Sequence, residues 1–508
     1  MQNAMSYQRI AKNTLILYLR MLLNMGVTFY TSRIVLDALG VDDYGIYNVV
    51  GGVVVIFTFL NTAMSSSTQR FITFEIGKKS DSYRLSRVFS TSLNVHGLIA
   101  VLIFILCETI GLYFLNTQMV FPHERMIAVN VAYQCSVVSC CLGVMTIPFN
   151  AIIISYERMN VFAWISIFDV TLKLVVAYLL YITTFDKLVI YAIFILFVSL
   201  ITSLVYICYC RRNFYECRNW HFRDNILFKD MCSFAGWNLI GNFAYIGFTQ
   251  GVNILLNIFC GPSVNAARGI AVQMQGAVGR FAGGFQTAVN PQITKQYANG
   301  DLNSMYTLLY RSSKFSFFLL FIISFPVVLQ AETILNWWLV DVPDYTVSFF
   351  RIIICISLID VLATPMNISA QATGRIKKYQ LLEGGTLLLI VPISFFALKT
   401  SKNPNSVFVV HFLIALITQM FRIILLKDMI KLSVREYLKA VIYRILCVLI
   451  VSVLVIYFIG VSCPYIIDDF FICTLISFLL VAISVFICGL TVSERSYLFM
   501  VLKKYLVK

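Results

Sequence analysis

The chain has 508 residues, of which 59% are hydrophobic and only 12% are charged, and its formal net charge is +15. Soluble domains carry about 25% charged residues, so this composition excludes a soluble globular protein and predicts a chain surrounded by lipid. The basic residues lie in short loops between apolar segments, which favours membrane topology over nucleic-acid binding as the origin of the charge.

The chain lacks the sequence signals of several enzyme classes. It contains no GxxxxGK[ST] phosphate-binding loop, and its loops are too short to fold as a soluble catalytic domain. The fourteen cysteines lie mostly inside apolar segments, without CxxC or His-linked metal spacing. We therefore predict a protein that is not an enzyme and that has no cofactor, no metal site and no nucleic-acid partner.

Fourteen apolar segments of about twenty residues or more predict fourteen transmembrane helices. These predicted spans, numbered 1 to 14 in chain order, cover Thr14–Leu36, Tyr44–Met64, Val88–Leu115, Met126–Ser155, Val161–Thr183, Leu188–Cys210, Met231–Phe259, Ser263–Asn290, Ser312–Ala331, Val347–Ala370, Tyr379–Leu398, Val407–Leu426, Ala440–Val461 and Asp469–Leu490. Such a chain is an all-α polytopic membrane protein in permanent contact with membrane lipids.

The charged residues of the loops predict the orientation of the chain. Lys and Arg are concentrated in alternate loops, at positions such as Lys78, Arg212 and Lys377, whereas the other loops contain acidic residues such as Asp37 and Asp344. Because cytoplasmic loops carry an excess of Lys and Arg, we expect both termini to be cytoplasmic.

Span 1 carries polar residues along one face. Arg20, Asn24 and Thr28 follow one another at intervals of four residues, which places them on the same side of a helix. A charged side chain inside the bilayer costs at least about 2.5–3.5 kcal/mol on insertion scales, so it usually faces a cavity or a partner. For Arg20 the alternative is extension of the guanidinium to the cytoplasmic interface.

Spans 7 and 8 carry similar polar stripes. We interpret these stripes, together with those of span 1 and of span 2 (Thr58, Asn61, Ser65 and Gln69), as the wall of a hydrophilic cavity, with hydrogen bonding between helices as the alternative. The predicted substrate-binding residues are Arg20, Asn24, Thr28, Asn242, Asn253, Gln273 and Arg280.

Spans 5, 10 and 11 contain four charged residues as candidates for ion coupling. Asp169 and Lys173 are four residues apart, so they can form a structural pair or present charge to a substrate or ion. Asp360 and Glu383 have no cation within four residues on their own helices, which suits proton or sodium coupling. The alternative for these two acids is a pair with an arginine of a neighbouring helix, such as Arg351 or Arg422.

An internal repeat relates two halves of the chain. Gly40 aligns with Gly261, and residues 148–150 (Pro-Phe-Asn) align with residues 365–367 (Pro-Met-Asn). In both Pro-x-Asn copies an arginine follows eight residues after the asparagine. We interpret this second match as an inherited kink, because proline inside a span frees a carbonyl group and a nearby amide can satisfy it.

The repeat predicts the division of the chain. Each half contains an even number of spans, so the two copies have the same orientation, and parallel repeats place a substrate cavity between the lobes near the membrane midplane. We predict an N-lobe of six helices over residues 1–220, a C-lobe of six helices over residues 221–430, and two further helices with a cytoplasmic tail over residues 431–508.

Residues 32–47 read SRIVLDALGVDDYGIY. This segment resembles the helix 1–2 hairpin of bacterial polysaccharide flippases (Wzx-like), in which an arginine is followed by LG-x-x-x-YG-x-Y. Two six-helix lobes and two extra helices are also similar to the multidrug/oligosaccharidyl-lipid/polysaccharide exporter superfamily. The lipid II flippase of that superfamily uses arginines on its first, second and eighth helices. This chain matches on the first and eighth, at Arg20 and Arg280, but has no arginine within span 2.

The resemblance implies a transporter of the bacterial inner membrane that moves undecaprenyl-pyrophosphate-linked oligosaccharide from the cytoplasmic to the periplasmic leaflet by alternating access. The implied partners are this lipid-linked oligosaccharide and membrane lipids, with a polysaccharide polymerase as a further candidate. A cation-coupled multidrug exporter is one alternative, although arginines in the cavity would repel the mostly cationic drugs that such exporters carry. A membrane glycosyltransferase or polymerase is another, although it would need a large periplasmic loop or an acidic loop motif.

Overall fold

The computed structural model describes residues 2–56, 59–117, 121–218, 224–339, 342–462 and 469–496. These ranges are almost entirely helical and contain no β-strand. The main helices, in chain order, are α1 Gln2–Ile56, α2 Phe59–Gly77, α3 Ser82–Thr117, α4 His123–Ser155, α5 Met159–Ile182, α6 Lys187–Asn213, α7 Asn225–Cys260, α8 Pro262–Ala298, α9 Leu302–Leu329, α10 Ala331–Trp338, α11 Thr346–Thr373, α12 Lys377–Ser401, α13 Asn405–Ile430, α14 Val434–Ser462 and α15 Phe470–Gly489.

Eleven helices in the described ranges are long and apolar enough to cross a membrane. They coincide with predicted spans 3 to 7 and 9 to 14. Spans 1 and 8 fall on α1 and α8, and span 2 covers the end of α1 and the start of α2, with residues 57 and 58 outside the described ranges; these helices are more polar. The all-α polytopic membrane architecture is thereby confirmed, while the total of fourteen spans stays a prediction.

Large apolar side chains point away from the protein along these helices. Trp164 on α5 is 71% exposed, Ile127 on α4 is 80% exposed and Phe471 on α15 is 74% exposed. A soluble monomer rarely exposes so many large apolar groups. In a multi-pass membrane protein these groups contact the hydrocarbon tails of the lipids.

The chain forms two compact units. The first comprises Met1–Asn242 with Thr294–Gly300, and the second comprises Phe243–Ile293 with Asp301–Lys508. In the first unit α1 packs on α5, and α4 packs on both α3 and α6. In the second unit α13 packs on α11 and α12, and α9 packs on α15. The predicted lobe boundaries at residues 220 and 430 stay a prediction.

Capping residues begin or end several of these helices. The Asp186 carboxylate accepts hydrogen bonds from the backbone N–H groups of Leu188 and Val189 at the start of α6. Lys402 and Lys431 end α12 and α13 in the left-handed conformation, with φ of 54° and 56°. Such caps satisfy backbone groups that a helix leaves unpaired at its ends.

Backbone conformation supports the internal repeat. Gly40 and Gly261, which align in sequence, both have positive φ (79° and 84°). Gly40 is the non-helical residue at a kink inside α1, and Gly261 lies between the end of α7 and the start of α8. Nine residues after the repeated prolines, Glu157 and Gly374 also both have positive φ (59° and 78°). The two copies of the Pro-x-Asn segment are thus followed by the same turn, although only one of them has glycine at the position that favours it.

Gly77, at the end of α2, lies against the end of α8 within the first unit. A Cβ atom on Gly77 would lie 2.8 Å from the Lys295 Cα, 2.9 Å from the Lys295 carbonyl oxygen and 2.8 Å from the Ala298 Cβ. Lys295 is itself held by an ion pair of 2.5 Å to Glu157, whose side chain is only 2% exposed. Because backbone atoms form this contact, the neighbours cannot move aside without disturbing α8.

We expect Gly77→Ala to lower the free energy of unfolding by about 1–3 kcal/mol, since overpacking of a close contact has this effect. The matched control is Gly143→Ala on α4, where a Cβ would meet no described atom within 4 Å. There the helix preference for alanine predicts a gain of about 0.5–1 kcal/mol. Denaturant unfolding in detergent checks both values, and equal effects of the two substitutions would contradict the contact.

Candidate functional site

Polar residues of α1 face α5 in the first unit. The Arg20 guanidinium carbon lies 4.0 Å from the centre of the Phe162 ring, a distance at which cation–π attraction is effective. One turn further along α1, the Asn24 amide donates a hydrogen bond of 2.7 Å to the Ser166 hydroxyl. The Arg20 Nε is buried and finds no hydrogen-bond partner in the part of the chain that the structure describes. Arg20 is therefore positioned by α5 while keeping unused donors.

Asp169 and Lys173 form an ion pair along α5. The Lys173 Nζ lies 2.8 Å from the Asp169 Oδ2, and the Thr202 hydroxyl on α6 donates a hydrogen bond of 3.2 Å to the Asp169 Oδ1. This is the paired arrangement that the spacing of four residues allows. An ion-coupling role for either residue stays a prediction.

Neutralising only one member of this pair should leave a single charge within the membrane. We expect Lys173→Met alone to lower the free energy of unfolding by about 2.5–3.5 kcal/mol. The double variant Asp169→Asn/Lys173→Met should lose less than half of that, because the asparagine amide oxygen would still accept the Thr202 hydrogen bond. A double-mutant cycle of unfolding free energies measures the difference, and purely additive losses would contradict the pairing.

Two other predicted residues, Thr28 and Asn242, lie in the first unit. Thr28 is exposed on α1, one turn beyond Asn24, and its carbonyl oxygen accepts a hydrogen bond from Ser32. Asn242 is half-buried on α7, at the end of the Met1–Asn242 segment of the first unit. Their roles as substrate ligands stay predictions.

The second unit contains a cavity of about 100 Å³ between α7, α8, α11 and α13. The charged and polar side chains that line it include Thr249, Arg268, Gln275, Asp360 and His411. Aromatic side chains of α7 and α13 complete the wall. An engineered apolar cavity of about 150 Å³ holds benzene, so this volume suits a small ligand or part of a larger one.

Arg268 is the central cation of this cavity, and the sequence pattern did not identify it. Its Nη1 donates to the Asn253 Oδ1, and its Nη2 donates a hydrogen bond of 3.3 Å to the Thr249 carbonyl oxygen. Arg268 is only 9% exposed. The predicted ligand Asn253 therefore orients an arginine. The stripe of polar residues on α7 was the signal that could have led to Arg268.

Gln273 and Arg280 lie on another face of α8. Both are exposed and are seven residues apart, so they share one side of the helix. Arg268 and Gln275 are also seven residues apart and line the cavity. Gln273 follows Arg268 by five residues, which is not a whole number of helical turns. The Gln273/Arg280 pair and the Arg268/Gln275 pair therefore lie on different sides of α8. The cavity of the second unit thus includes neither Gln273 nor Arg280.

Glu383 forms an ion pair, whereas Asp360 forms none within the described ranges. The Arg422 Nη2 and Nε lie 2.6 Å and 3.0 Å from the Glu383 Oε1, which is the alternative arrangement considered for this acid. An ion-coupling role for Glu383 stays a prediction. The Asp360 carboxylate lines the cavity and forms no hydrogen bond or ion pair with any residue that the structure describes. Within the described ranges, no cluster of three His, Cys, Asp or Glu side chains could hold a metal ion.

Solved structures with the same fold are membrane transporters. The chain is similar to a multidrug resistance MATE family transporter of the MOP superfamily in an outward-facing conformation, with a TM-score of 0.71, 15% identity and coverage of 83% of this chain and 96% of the other. It is also similar to a MOP superfamily transporter from Pyrococcus furiosus, for which a binding pocket of reverse polarity suggests a different function (TM-score 0.66, 14% identity, coverage 84% and 97%). At this identity the likeness shows the fold.

The chain therefore has the fold of the MOP superfamily, as the sequence resemblance predicted. Residues 10–301, more than half of the chain, match the family model described as "Polysaccharide biosynthesis protein", and the chain belongs to this family. No curated protein sequence matches the chain significantly.

Proposed function

We propose that this protein moves undecaprenyl-pyrophosphate-linked oligosaccharide from the cytoplasmic to the periplasmic leaflet of a bacterial inner membrane by alternating access, with both termini in the cytoplasm. Membership of a polysaccharide biosynthesis family and a fold shared with membrane transporters support this proposal. Glycan synthesis on a lipid carrier requires a step that carries a charged, hydrophilic head across the hydrocarbon core, and that step needs a polar path.

One observation carries the choice of substrate. Arg20 and Arg280 lie on helices α1 and α8, and neither forms an ion pair with a carboxylate in the described part of the chain. A guanidinium group can donate two parallel hydrogen bonds to neighbouring phosphate oxygens. Arginines without carboxylate partners suit a pyrophosphate and repel a cationic drug.

A cation-coupled multidrug exporter is the second candidate. The Asp360 carboxylate, which forms no ion pair with a described residue, favours it, because a carboxylate within the membrane can bind a proton or a metal cation. Glu383 contributes less to this reading, since Arg422 neutralises it. The same carboxylate is compatible with an ion-coupled flippase, so headgroup charge separates the two candidates better than ion dependence.

Binding by the purified protein tests the choice between the two candidates. We expect undecaprenyl pyrophosphate to raise the melting temperature of the protein in detergent, because a ligand at 100 times its Kd adds about 2.7 kcal/mol of stability. Undecaprenol, which lacks the pyrophosphate, should have no such effect. Stabilisation by the cationic dye ethidium without stabilisation by the pyrophosphate lipid would favour the multidrug exporter.

A further inference from the structure

The cavity of the second unit offers hydrogen-bond donors and acceptors side by side. Arg268 uses one N–H on Asn253 and one on the Thr249 carbonyl oxygen, which leaves three of its five donors for a ligand within the described surroundings. Asp360 presents a carboxylate that accepts no hydrogen bond from any described residue, although the Arg422 guanidinium of the neighbouring ion pair attracts it, and carboxylates accept several hydrogen bonds. The Ser357 hydroxyl donates to the Ile353 carbonyl oxygen, so its lone pairs also remain available.

The charges of Arg268 and Asp360 balance one another without forming an ion pair within the described ranges, and the Arg422–Glu383 pair that acts electrostatically on Asp360 adds no net charge. Arg268 contributes one positive charge and Asp360 one negative charge, and each is held on a different helix. The Asn253 side chain and the Thr249 carbonyl oxygen, both on α7, hold the guanidinium against α7. A ligand with a net charge would be attracted by one group and repelled by the other, whereas a neutral ligand with adjacent donors and acceptors can bind both.

The apolar part of the cavity wall further restricts the chemical class of the ligand. Phe248 packs edge-to-face on the His411 ring, with ring centres 5.0 Å apart, and Phe408 lines the same space. Sugars present C–H groups on one face and hydroxyl groups around the rim. An aromatic wall beside an arginine and a carboxylate matches both features, since C–H groups contact the rings and hydroxyl groups both donate and accept.

We propose that this cavity binds one neutral sugar residue of the transported glycan, with Asp360 accepting hydrogen bonds from its hydroxyl or amide groups and Arg268 donating to its oxygens. The inference rests on the proposed function and adds a sugar subsite in the second unit. A volume of about 100 Å³ holds part of a pyranose ring, and the rest of the ring extends from the cavity mouth.

Saturation-transfer difference NMR and titration calorimetry on the full chain in lipid nanodiscs test this subsite. The probes are the neutral sugars N-acetylglucosamine and methyl glucoside, the anion glucuronate and the cation glucosamine, each in sodium chloride and in choline chloride. We expect the neutral sugars to bind in both salts. Arg268→Gln and Asp360→Asn should each weaken that binding about tenfold or more, since hydrogen bonds to charged groups have this strength.

The two cavity variants differ in how much they disturb the fold, so a loss of sugar binding common to both does not simply report unfolding. Asp360→Asn preserves shape and disturbs no described hydrogen bond, whereas Arg268→Gln releases Asn253. The matched control is Arg351→Gln, an exposed arginine on the same helix as Asp360 that does not line the cavity, and it should bind as the wild type does. Failure of both neutral sugars to bind, binding confined to a charged sugar or to sodium, or neutral-sugar binding unchanged in both cavity variants would overturn the subsite.

Transport of undecaprenyl-pyrophosphate-linked oligosaccharide in proteoliposomes, measured on the same preparations, separates the two proposals. Transport without neutral-sugar binding would overturn the subsite and leave the flippase standing. Neutral-sugar binding that depends on Arg268 and Asp360, without transport of the lipid-linked oligosaccharide, would support the subsite and contradict the flippase.

Discussion

Replacing Arg422 by methionine is expected to lower the free energy of unfolding by about 3–5 kcal/mol, the loss found when one member of a buried ion pair is removed. Arg422 on α13 donates two hydrogen bonds to Glu383 on α12 and a third, of 3.1 Å, to the Gln419 side chain. The side chains of Arg422 and Glu383 are only 5% and 11% exposed. Methionine would fill much of the space but leave a buried carboxylate without its counter-charge. Denaturant unfolding in detergent measures the loss.

The double variant Glu383→Gln/Arg422→Met is the informative partner of this experiment. It removes both charges, so we expect it to unfold at a free energy closer to that of the wild type. Arg351→Met, on an exposed arginine, should change the free energy by no more than about 0.5 kcal/mol. A double variant at least as unstable as Arg422→Met would contradict the pairing. A folded double variant whose transport no longer responds to a proton or sodium gradient would restore the ion-coupling role predicted for Glu383.

Substitution of Arg20 or Arg280 by alanine is expected to slow transport of lipid-linked oligosaccharide by about 10- to 100-fold, because each loses hydrogen bonds between charged groups worth about 1.5–3 kcal/mol. Arg20→Lys should retain part of the rate, since lysine keeps the charge but not the two-pronged geometry. The measurement is the initial transport rate in proteoliposomes, normalised to folded protein.

Controls separate charge from packing in this second prediction. Phe162→Leu removes the ring beneath Arg20 while keeping the guanidinium, so it should reduce transport less than Arg20→Ala does. Arg351→Ala removes an exposed arginine whose Nε approaches only a backbone carbonyl oxygen and should leave the rate unchanged. Wild-type rates in both Arg20→Ala and Arg280→Ala would show that these side chains do not bind the pyrophosphate.

Features that depend on neighbouring residues in the chain could be predicted from the sequence. Apolar segments of about twenty residues give eleven of the predicted spans directly, because lipid demands that length. The Asp169–Lys173 pair follows from a spacing of four residues on one helix. The alignment of Gly40 with Gly261 anticipates two positive-φ positions, since glycine is the residue that tolerates them best.

Features that depend on how helices pack could not be predicted in the same way. The sequence offered Arg351 and Arg422 equally as partners for Glu383, and only the packing of α12 on α13 selects Arg422. The sequence pattern does not identify Arg268, because the polar stripe predicted on span 8 runs through Gln273 and Arg280, which lie on another face of α8. Periodicity identifies a polar face but does not tell which neighbouring helix that face meets.

The initial rate of transbilayer movement of an undecaprenyl-pyrophosphate-linked oligosaccharide by the purified protein in liposomes tests the central claim most directly. We predict movement well above that in protein-free liposomes, about tenfold or more slower with Arg20→Ala, and no efflux of ethidium from the same vesicles. Ethidium efflux driven by a proton or sodium gradient, with no protein-dependent movement of the lipid-linked oligosaccharide, would contradict the account.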